Sequence, residues 1–173
     1  MNILAAFKPI RLFTLDVDGV LTDGTVWVME NGEQVRRMSI KDGYALQLAI
    51  KKGYDILVIS GGQSDAVRQR LAKLGITNVF MGVTDKTETL QKHMSAQNFA
   101  KEQVLYMGDD MPDRKVMSMA GLACCPADAV AEIRDLSSYI SPLKGGEGCV
   151  RDIIEKVLKL NGHWHDDGHT PSR

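Results

Sequence analysis

The stretch Ile10-Arg11-Leu12-Phe13-Thr14-Leu15-Asp16-Val17-Asp18-Gly19-Val20-Leu21 decides the fold of this chain. Its first half is mostly apolar and predicts a short buried strand. Asp16 and Asp18 follow where that strand ends. Burying a carboxylate is costly unless it is paired or binds a metal, and Asp is a poor strand former. The pair therefore predicts a cation-binding site at the end of this strand.

Short apolar segments alternate with amphipathic segments along the rest of the chain. The segments that predict further strands of the main sheet are 56–59, 79–81, 104–107 and 122–125. The segments that predict helices are 42–52, 64–74, 86–99, 111–120 and 148–160. This alternation is typical of an α/β fold, a doubly wound (Rossmann-like) parallel sheet with helices on both faces. In such sheets, ligands bind at the carboxyl ends of the strands.

The segment 24–40 interrupts this alternation. Two β-prone runs, 25–29 and 34–38, flank Glu30-Asn31-Gly32-Glu33, and Asn-Gly between such runs is a strong hairpin signal. Because the hairpin directly follows the acidic pair, we expect it to overhang the site as a flap. We expect a single domain over residues 1–160 and a flexible tail over 161–173, where the apolar periodicity ends.

The composition narrows the class of protein. A formal net charge of −1 gives no basic field for nucleic acid, and no apolar run is long enough to span a membrane. The N-terminal residues lack the pattern of an export signal. The three cysteines form no Cys-x-x-Cys pair. We therefore expect a cytoplasmic protein with reduced, buried cysteines and no nucleic-acid or membrane partner.

Polar clusters occur at or just beyond the ends of several predicted strands. In chain order they are Asp16 with Asp18, Ser60-Gly61-Gly62, Lys86, and Gly108-Asp109-Asp110-Met111-Pro112-Asp113. Each cluster after the first has an ordinary structural explanation when taken alone, as a turn, a helix cap or a surface charge. A doubly wound sheet would bring all of them to the same edge, and together they indicate phosphoryl transfer.

This chemistry suggests a role for each cluster. Asp16 would attack phosphorus and form an aspartyl phosphate, and Asp18 would protonate the leaving oxygen and later activate water. Ser60, the amides of Gly61 and Gly62, and Lys86 would stabilise the negative charge on the phosphoryl oxygens. The predicted ligands of Mg²⁺ are Asp16, Asp109 and Asp18, the last through its backbone carbonyl. Asp110 and Asp113 would be further ligands or would support these.

The order of these motifs resembles the haloacid dehalogenase superfamily of Mg²⁺-dependent phosphatases. Asp16-x-Asp18-Gly19-Val20-Leu21-Thr22 matches the first motif, Ser60 the second, Lys86 the third, and Gly108-Asp109-Asp110-x-x-Asp113 the fourth. The resemblance covers about residues 10–154. Only the hairpin lies between the first motif and the next helix, so the chain is similar to the class that lacks a cap domain.

Within that class the chain is similar to the 3-deoxy-D-manno-octulosonate 8-phosphate phosphatases. The matching stretches are 16–24, Lys41-Asp42-Gly43 and Gly145-Gly146-Glu147-Gly148. The resemblance implies hydrolysis of an eight-carbon sugar-acid phosphate for lipopolysaccharide synthesis. It also implies a homotetramer in which the flap and neighbouring subunits replace the cap. The apolar flap residues Trp27, Val28 and Met29 would pack against a neighbouring subunit or against their own core.

The resemblance also bears on the substrate. Arg68, Arg70 and Lys73, on the helix that follows Ser60, are candidates to bind the carboxylate of the sugar acid. Relatives that act on nine-carbon sugar-acid phosphates tend to carry an acidic residue at the position of Gly62. The glycine here therefore favours the eight-carbon substrate, with the nine-carbon class as the alternative.

Other classes of protein fit the sequence less well. A phosphoacceptor receiver module uses similar residues, but its acceptor aspartate lies on a later strand than the acidic pair, where this chain has Gly82-Val83-Thr84. No P-loop motif occurs. A non-catalytic scaffold conflicts with the complete set of catalytic residue types, and a phosphomutase usually needs a cap. The tail His163-Trp164-His165-Asp166-Asp167-Gly168-His169 contains metal-binding residue types, but its terminal position favours a flexible end.

Overall fold

The computed structural model of the chain describes residues 3–165 and 168–171. The strands are β1 (Leu12–Leu15), β2 (Trp27–Val28), β3 (Gln34–Val35), β4 (Asp55–Ile59), β5 (Asn78–Phe80), β6 (Val104–Met107), β7 (Leu122–Cys125) and β8 (Tyr139–Ile140). The helices are α1 (Ile3–Phe7), α2 (Ile40–Lys51), α3 (Asp65–Lys73), α4 (Lys86–Gln97), α5 (Arg114–Met117), α6 (Ala131–Leu136) and α7 (Cys149–Leu160).

Six strands form one parallel sheet in the order β5-β4-β1-β6-β7-β8. The chain moves outward from β1 to β4 and β5, and then returns to the other side of β1 with β6. The strand order therefore reverses beside β1, where α/β sheets bind their ligands. The register pairs Leu15 with Val58 of β4 and with Met107 of β6, so the three strands end side by side.

Both faces of the sheet are covered by helices, which confirms the predicted doubly wound α/β fold. Alternate residues of each strand point to opposite faces. One face packs against α1, α2, α3 and α7, with Phe13 and Val58 among the buried strand residues. The other face packs against α4, α5 and α6, with Leu12 and Leu57 on the strand side. The three cysteines are free and buried, as predicted.

The flap is present but has less regular structure than the sequence predicts. Only Trp27–Val28 and Gln34–Val35 pair as antiparallel strands, which is less than half of the predicted runs 25–29 and 34–38. The turn lies where Asn31-Gly32 predicts it, and Gly32 adopts the left-handed conformation with φ +83°. A two-stranded ribbon without a core beneath it gains little from longer pairing.

The remaining differences are short elements. The sequence did not predict α1, α6 or β8, each of which spans one or two turns or a two-residue pair. The predicted helix 111–120 is a 3₁₀ turn at Met111–Asp113 followed by the short α5. No cap domain is present in the described chain, and within that part no helix is both long and apolar enough to cross a membrane.

Candidate active site

Asp16 lies at the carboxyl end of β1, and its side chain is directed into the site. Its backbone N–H donates a 3.1 Å hydrogen bond to the carbonyl of Met107, which ties the end of β1 to β6. Asp16 is 8% exposed. The chain then turns sharply at Gly19, whose φ is +87°. A Cβ at Gly19 would lie 1.9 Å from Oδ2 of Asp109, so this glycine permits the loops after β1 and β6 to approach each other.

The loop after β6 contributes two more carboxylates. The side chain of Asp113 turns back toward β6, where its Oδ2 accepts a 3.2 Å hydrogen bond from the backbone N–H of Asp109. Asp109 points toward Asp16, and its Oδ1 is buried without a hydrogen-bond partner among the described residues. Single oxygen atoms of Asp16, Asp109 and Asp113 lie within 4.8 Å of one another.

Lys86 supplies positive charge beneath these carboxylates. It is the first residue of α4, whose N-terminus is capped by the side chain of Asp85. Its Nζ lies 2.9 Å from Oδ1 of Asp16 and 2.7 Å from Oδ1 of Asp113. Tyr106 of β6 donates a 2.8 Å hydrogen bond from its hydroxyl to the same oxygen of Asp113. The lysine is therefore held between the two carboxylates rather than in solvent.

The site holds more negative charge than Lys86 can balance. Burial, and then the charge of Asp113, raise the pKa of Asp16 to about 7, although Lys86 acts in the opposite direction. Burial, followed by Asp16 and Asp113, raises the pKa of Asp109 to about 8. Burial alone would lower the pKa of Lys86, but Asp16 and Asp113 outweigh it and raise that pKa. A divalent cation would relieve this excess of negative charge.

The donor set fits a hard divalent cation. Carboxylate oxygens are the preferred ligands of Mg²⁺. Both oxygens of Asp113 already accept hydrogen bonds, from Lys86 and Tyr106 on one side and from Asp109 on the other. Asp16 and the unpartnered Oδ1 of Asp109 are therefore the carboxylates best placed to hold the ion, with Asp113 supporting the lysine and the loop.

Ser60 and the two glycines after it close the side of the site formed by β4. Ser60 is buried, and its Oγ accepts a 3.1 Å hydrogen bond from the backbone N–H of Gly62. Gly61 and Gly62 line the same cavity, of about 240 Å³, as Asp16, Asp18 and Lys86. The predicted groups from three strand ends therefore share one pocket, to which Asp109, Asp110 and Asp113 also contribute.

Asp18 lines this cavity but is paired with the flap. Its Oδ1 accepts a 2.6 Å hydrogen bond from Nε of Arg36, and its Oδ2 a 3.4 Å hydrogen bond from Nη2 of the same residue. Arg36 is a site residue that the sequence did not reveal. Its position depends on how the hairpin folds over the site, and no local pattern specifies that.

Known proteins match this chain in sequence over most of its length. A family model for haloacid dehalogenase-like hydrolases matches residues 78–153. The 3-deoxy-D-manno-octulosonate 8-phosphate phosphatase KdsC of Escherichia coli K12 is 34% identical over 161 residues, which cover 93% of this chain and 86% of the relative. The chain belongs to this phosphatase family. A relative of the same name from Yersinia pestis is 34% identical over 157 residues, covering 88% of this chain and 84% of the relative.

Solved structures of the family share the fold. The phosphatase of this family from Yersinia pestis superposes with a TM-score of 0.90 at 31% identity, covering 93% of this chain and 87% of that chain. The enzyme from Moraxella catarrhalis, crystallised with a magnesium ion, a phosphate ion and a KDO molecule, superposes with a TM-score of 0.88 at 32% identity. That match covers 91% of each chain. The predicted family resemblance is confirmed.

The predicted carboxylate-binding residues occupy different places on α3. Arg70 lines a second and larger cavity, of about 850 Å³, between the flap and the start of α3. The exposed Arg68 donates a 3.2 Å hydrogen bond to the carbonyl of Val79. Lys73 is exposed at the last turn of α3, the end farther from Ser60. Substrate binding by these three residues remains a prediction, and the geometry favours Arg70 over the other two.

Asp110 is exposed and has a structural role in the described chain. Its Oδ1 accepts a 2.7 Å hydrogen bond from the backbone N–H of Met111, at the start of the 3₁₀ turn.

Tyr106 is a functional candidate that the sequence did not reveal, because it lies within an apolar strand. The motif Gly145-Gly146 packs against the first loop, where the Gly146 N–H donates a 3.0 Å hydrogen bond to Val20.

The described part of the tail packs against α2, α7 and the turn before β4. His163 contacts the hydroxyl of Tyr54 at 2.9 Å, and the indole of Trp164 lies under the guanidinium of Arg151 at 5.2 Å. The flexibility expected for residues 161–173 is still a prediction, and Asp166 and Asp167 lie outside the described residues. Among the described residues, the grouping of Asp16, Asp109 and Asp113 is the one cluster suited to a metal.

Proposed function

We propose that this chain is a Mg²⁺-dependent phosphomonoesterase that hydrolyses 3-deoxy-D-manno-octulosonate 8-phosphate to the free sugar acid and phosphate. The observation that carries the proposal is the buried Asp16, whose Oδ1 lies 2.9 Å from Nζ of Lys86. Relatives that carry the name of this activity are 34% identical to the chain. The family resemblance assigns the reaction to the synthesis of lipopolysaccharide precursors.

Asp16 is the nucleophile of the proposed reaction. One of its carboxylate oxygens attacks phosphorus and forms a P–O bond as the bond from phosphorus to the sugar oxygen breaks. Lys86, Ser60 and the amides at Gly61 and Gly62 surround the phosphoryl oxygens on which negative charge accumulates. Because Lys86 is also held by Asp113, its ammonium is fixed in place before the substrate arrives.

Asp18 moves protons in both halves of the reaction. Its carboxyl group donates a proton to the sugar oxygen as that oxygen leaves phosphorus. The resulting carboxylate then takes a proton from the water that attacks the aspartyl phosphate, which releases inorganic phosphate and restores Asp16. Asp18 lines the same cavity as Asp16 and is the carboxyl group on the flap side of it.

Asp16 and Asp109 would hold the magnesium ion, with the backbone carbonyl of Asp18 as a further ligand. When bound, the ion neutralises charge on the phosphoryl group and on the carboxylates. The buried, unpartnered Oδ1 of Asp109 and the raised pKa values of Asp16 and Asp109 support this assignment.

The test is phosphate release by the purified protein in the presence of Mg²⁺. The wild type should hydrolyse the eight-carbon sugar-acid phosphate, and Asp16→Asn should abolish turnover while it preserves the fold by circular dichroism. Asp135→Asn, an exposed Asp on α6, is the matched control and should retain full activity. A folded wild-type protein that hydrolyses no sugar-acid phosphate would exclude the proposal.

Nine-carbon sugar-acid 9-phosphates are the alternative substrate class. Gly62 places no acidic side chain beside the site, and this absence favours the eight-carbon substrate. Kinetics on both substrates side by side would decide between them. A much higher kcat/KM for the nine-carbon substrate would change the assigned substrate and leave the mechanism intact.

The homotetramer that the family resemblance implies and the cytoplasmic location expected from the composition form part of the proposal. Trp27 and Val28 are 68% and 71% exposed, so these flap residues do not pack against their own core in the single chain. Exposed apolar side chains in one patch are typical of an interface. Light scattering coupled to size-exclusion chromatography should give the mass of four chains, and Trp27→Glu should reduce that mass.

A further inference from the structure

Arg36 is a flap residue whose guanidinium lies inside the site. Its side chain is 7% exposed, whereas that of the adjacent Arg37 is 64% exposed. Its Nε and Nη2 donate to the two oxygens of Asp18 at 2.6 Å and 3.4 Å. Within residues 3–165 and 168–171, Asp18 is the one carboxylate within ion-pair distance of this guanidinium.

The ion pair between Arg36 and Asp18 lies where the two cavities meet. Asp18 lines the smaller cavity with Asp16 and Lys86, and Arg36 lines the larger one beneath the flap. A Cβ at Gly62 would lie 3.1 Å from Oδ2 of Asp18 and 3.6 Å from Nη2 of Arg36. A substrate with its phosphate in the smaller cavity and its sugar in the larger one would therefore lie against this pair.

The pair conflicts with the role of Asp18 in proton transfer. Both carboxylate oxygens of Asp18 accept hydrogen bonds from Arg36, so the guanidinium holds this side chain toward the flap. Opening the pair without a replacement would leave a nearly buried guanidinium unpartnered, and that is costly. A second carboxylate that takes the place of Asp18 removes this cost, because a guanidinium binds any carboxylate through the same fork of N–H groups.

The geometry points to an exchange of partners at Arg36. The carboxylate of the sugar-acid phosphate replaces the carboxylate of Asp18 on the guanidinium. The released Asp18 takes up a proton from solvent water and carries it to the oxygen that leaves phosphorus. Arg36 is thus both a carboxylate-binding residue and the positioning residue for Asp18. This inference rests on the proposed function, since it needs a substrate with both a phosphate and a carboxylate. A sugar phosphate that lacks a carboxylate has no group that can displace Asp18 from the guanidinium. The enzyme therefore selects sugar-acid phosphates over such substrates during turnover.

The experiment compares Arg36→Ala, Arg36→Lys and the control Arg37→Ala with the wild type, in Mg²⁺, on two substrates. One is the eight-carbon sugar-acid phosphate. The other is fructose 6-phosphate, which has an alkyl leaving oxygen and no carboxylate. Arg37 pairs with Asp23 at 3.0 Å and with Glu147 at 3.4 Å. Its removal therefore loosens the flap but leaves the guanidinium of Arg36 in the site.

Arg36→Ala should lower kcat/KM for the sugar-acid phosphate by about 100-fold, through both KM and kcat, because a buried charged contact to the substrate is lost. The same variant should raise kcat for fructose 6-phosphate by about threefold or more, since Asp18 is no longer held. The kinetic constants of Arg36→Lys should lie between those of the wild type and Arg36→Ala, because an ammonium lacks the guanidinium fork. Arg37→Ala should remain close to wild type on both substrates.

An equal loss on both substrates in Arg36→Ala would overturn the exchange, because it would reduce Arg36 to a flap anchor. No change on either substrate would overturn it as well. A wild type that hydrolyses fructose 6-phosphate but not the sugar-acid phosphate would overturn the proposed function itself, and this inference with it. The wild-type measurement therefore separates the two failures.

Discussion

The hydroxyl of Tyr106 donates a 2.8 Å hydrogen bond to Oδ1 of Asp113, the same oxygen that lies 2.7 Å from the ammonium of Lys86. Both side chains are buried beneath the site. Burial, and then the charges of Asp113 and Asp16, raise the pKa of Tyr106 well above its usual value, so that the phenol stays protonated and donates. Tyr106 thus supports the carboxylate that holds Lys86 in place.

We expect Tyr106→Phe to lower the free energy of unfolding by about 1–2 kcal/mol, because it removes one buried hydrogen bond to a charged group. Turnover should fall by less than about tenfold, because Lys86 keeps its direct contacts with Asp113 and Asp16. Urea unfolding and steady-state kinetics measure the two effects. Tyr139→Phe is the matched control, since Tyr139 donates a 2.8 Å hydrogen bond to Asp152 away from the site. It should affect stability and leave kcat unchanged. Equal kcat losses in both variants would contradict the role of Tyr106.

The raised pKa values of Asp16 and Asp109 predict how Mg²⁺ and pH act together on stability. In the folded, metal-free chain these values are about 7 and about 8, above the 3.8 of an unperturbed Asp. A group whose pKa is raised by folding stabilises the protein below its unfolded pKa, and that stability is lost as pH rises through the folded value. The metal-free protein should therefore lose stability between about pH 4 and pH 8.

Bound Mg²⁺ should reverse this loss, because it pairs with the charged carboxylates. The increase in Tm on adding Mg²⁺ in place of a chelator should be small at pH 5.5 and larger at pH 8.5. At 100 times Kd the ion should stabilise the fold by about 2.7 kcal/mol. Asp109→Asn should reduce both the increase and its pH dependence. An increase in Tm that is the same at both pH values would show that these carboxylates do not hold the ion.

A substitution at Gly19 tests the close approach of the loops that follow β1 and β6. Its φ of +87° disfavours any side chain, and a Cβ would lie 1.9 Å from Oδ2 of Asp109. Gly53 has a similar φ of +82° with nothing within 4 Å of the added Cβ. Both Gly→Ala substitutions therefore share a backbone cost of about 1–2 kcal/mol. We expect Gly19→Ala alone to lower kcat/KM, by about 100-fold, because it displaces Asp109, which we propose as a metal ligand.

Steady-state kinetics at saturating Mg²⁺, with thermal unfolding of both variants, checks this difference. Gly53→Ala should be less stable than wild type but fully active at a temperature where it is folded. If the two variants lose activity to the same extent, the backbone conformation and not the contact with Asp109 explains the effect.

Local sequence signals predicted the elements that build the centre of the site. The carboxyl ends of β1, β4 and β6 lie side by side because parallel strands run in register, so Asp16, Ser60 and Asp109 could be placed together without a structure. The predicted helix from residue 86 is confirmed, because α4 begins at Lys86, where the side chain of Asp85 caps it. In these cases the local pattern and the parallel topology point to the same arrangement.

Arg36 and Tyr106 lay beyond such signals for different reasons. The contact of Arg36 with Asp18 depends on the register and tilt of a two-stranded flap that local sequence does not specify. Tyr106 lies in the apolar run Val104–Met107, where an aromatic residue predicts core packing. Its hydroxyl becomes informative only when the turn after β6 brings Asp113 back over it. The contacts of Arg36 and Tyr106 therefore depend on long-range strand pairing and on the path of loops, which local sequence does not specify.

Asp42 connects α2 to α7 through a buried carboxylate. It lies in the first turn of α2 and is 2% exposed, and its Oδ1 accepts a 2.7 Å hydrogen bond from the backbone N–H of Arg151 in the first turn of α7. A side chain of one helix thus caps the N-terminus of another. Burial raises the pKa of Asp42 to about 6, against the effect of the N–H groups of Arg151 and Gly148.

Removing the cap with Asp42→Ala should lower the free energy of unfolding by about 1–2 kcal/mol. Asp42→Asn keeps an acceptor oxygen and has no charge to bury. The pH dependence of its unfolding free energy should therefore differ from that of the wild type. The folded pKa of Asp42 is raised, and its stabilising contribution is therefore lost as pH rises through about 6. Urea unfolding in saturating Mg²⁺ should show Asp42→Asn gaining about 1–3 kcal/mol relative to the wild type between pH 4.5 and pH 7.5. Asp16 and Asp109 are unchanged in both proteins, so the effect of their titration cancels in this difference. A difference in unfolding free energy that is constant with pH would mean that burial of the Asp42 charge does not limit the stability of the fold.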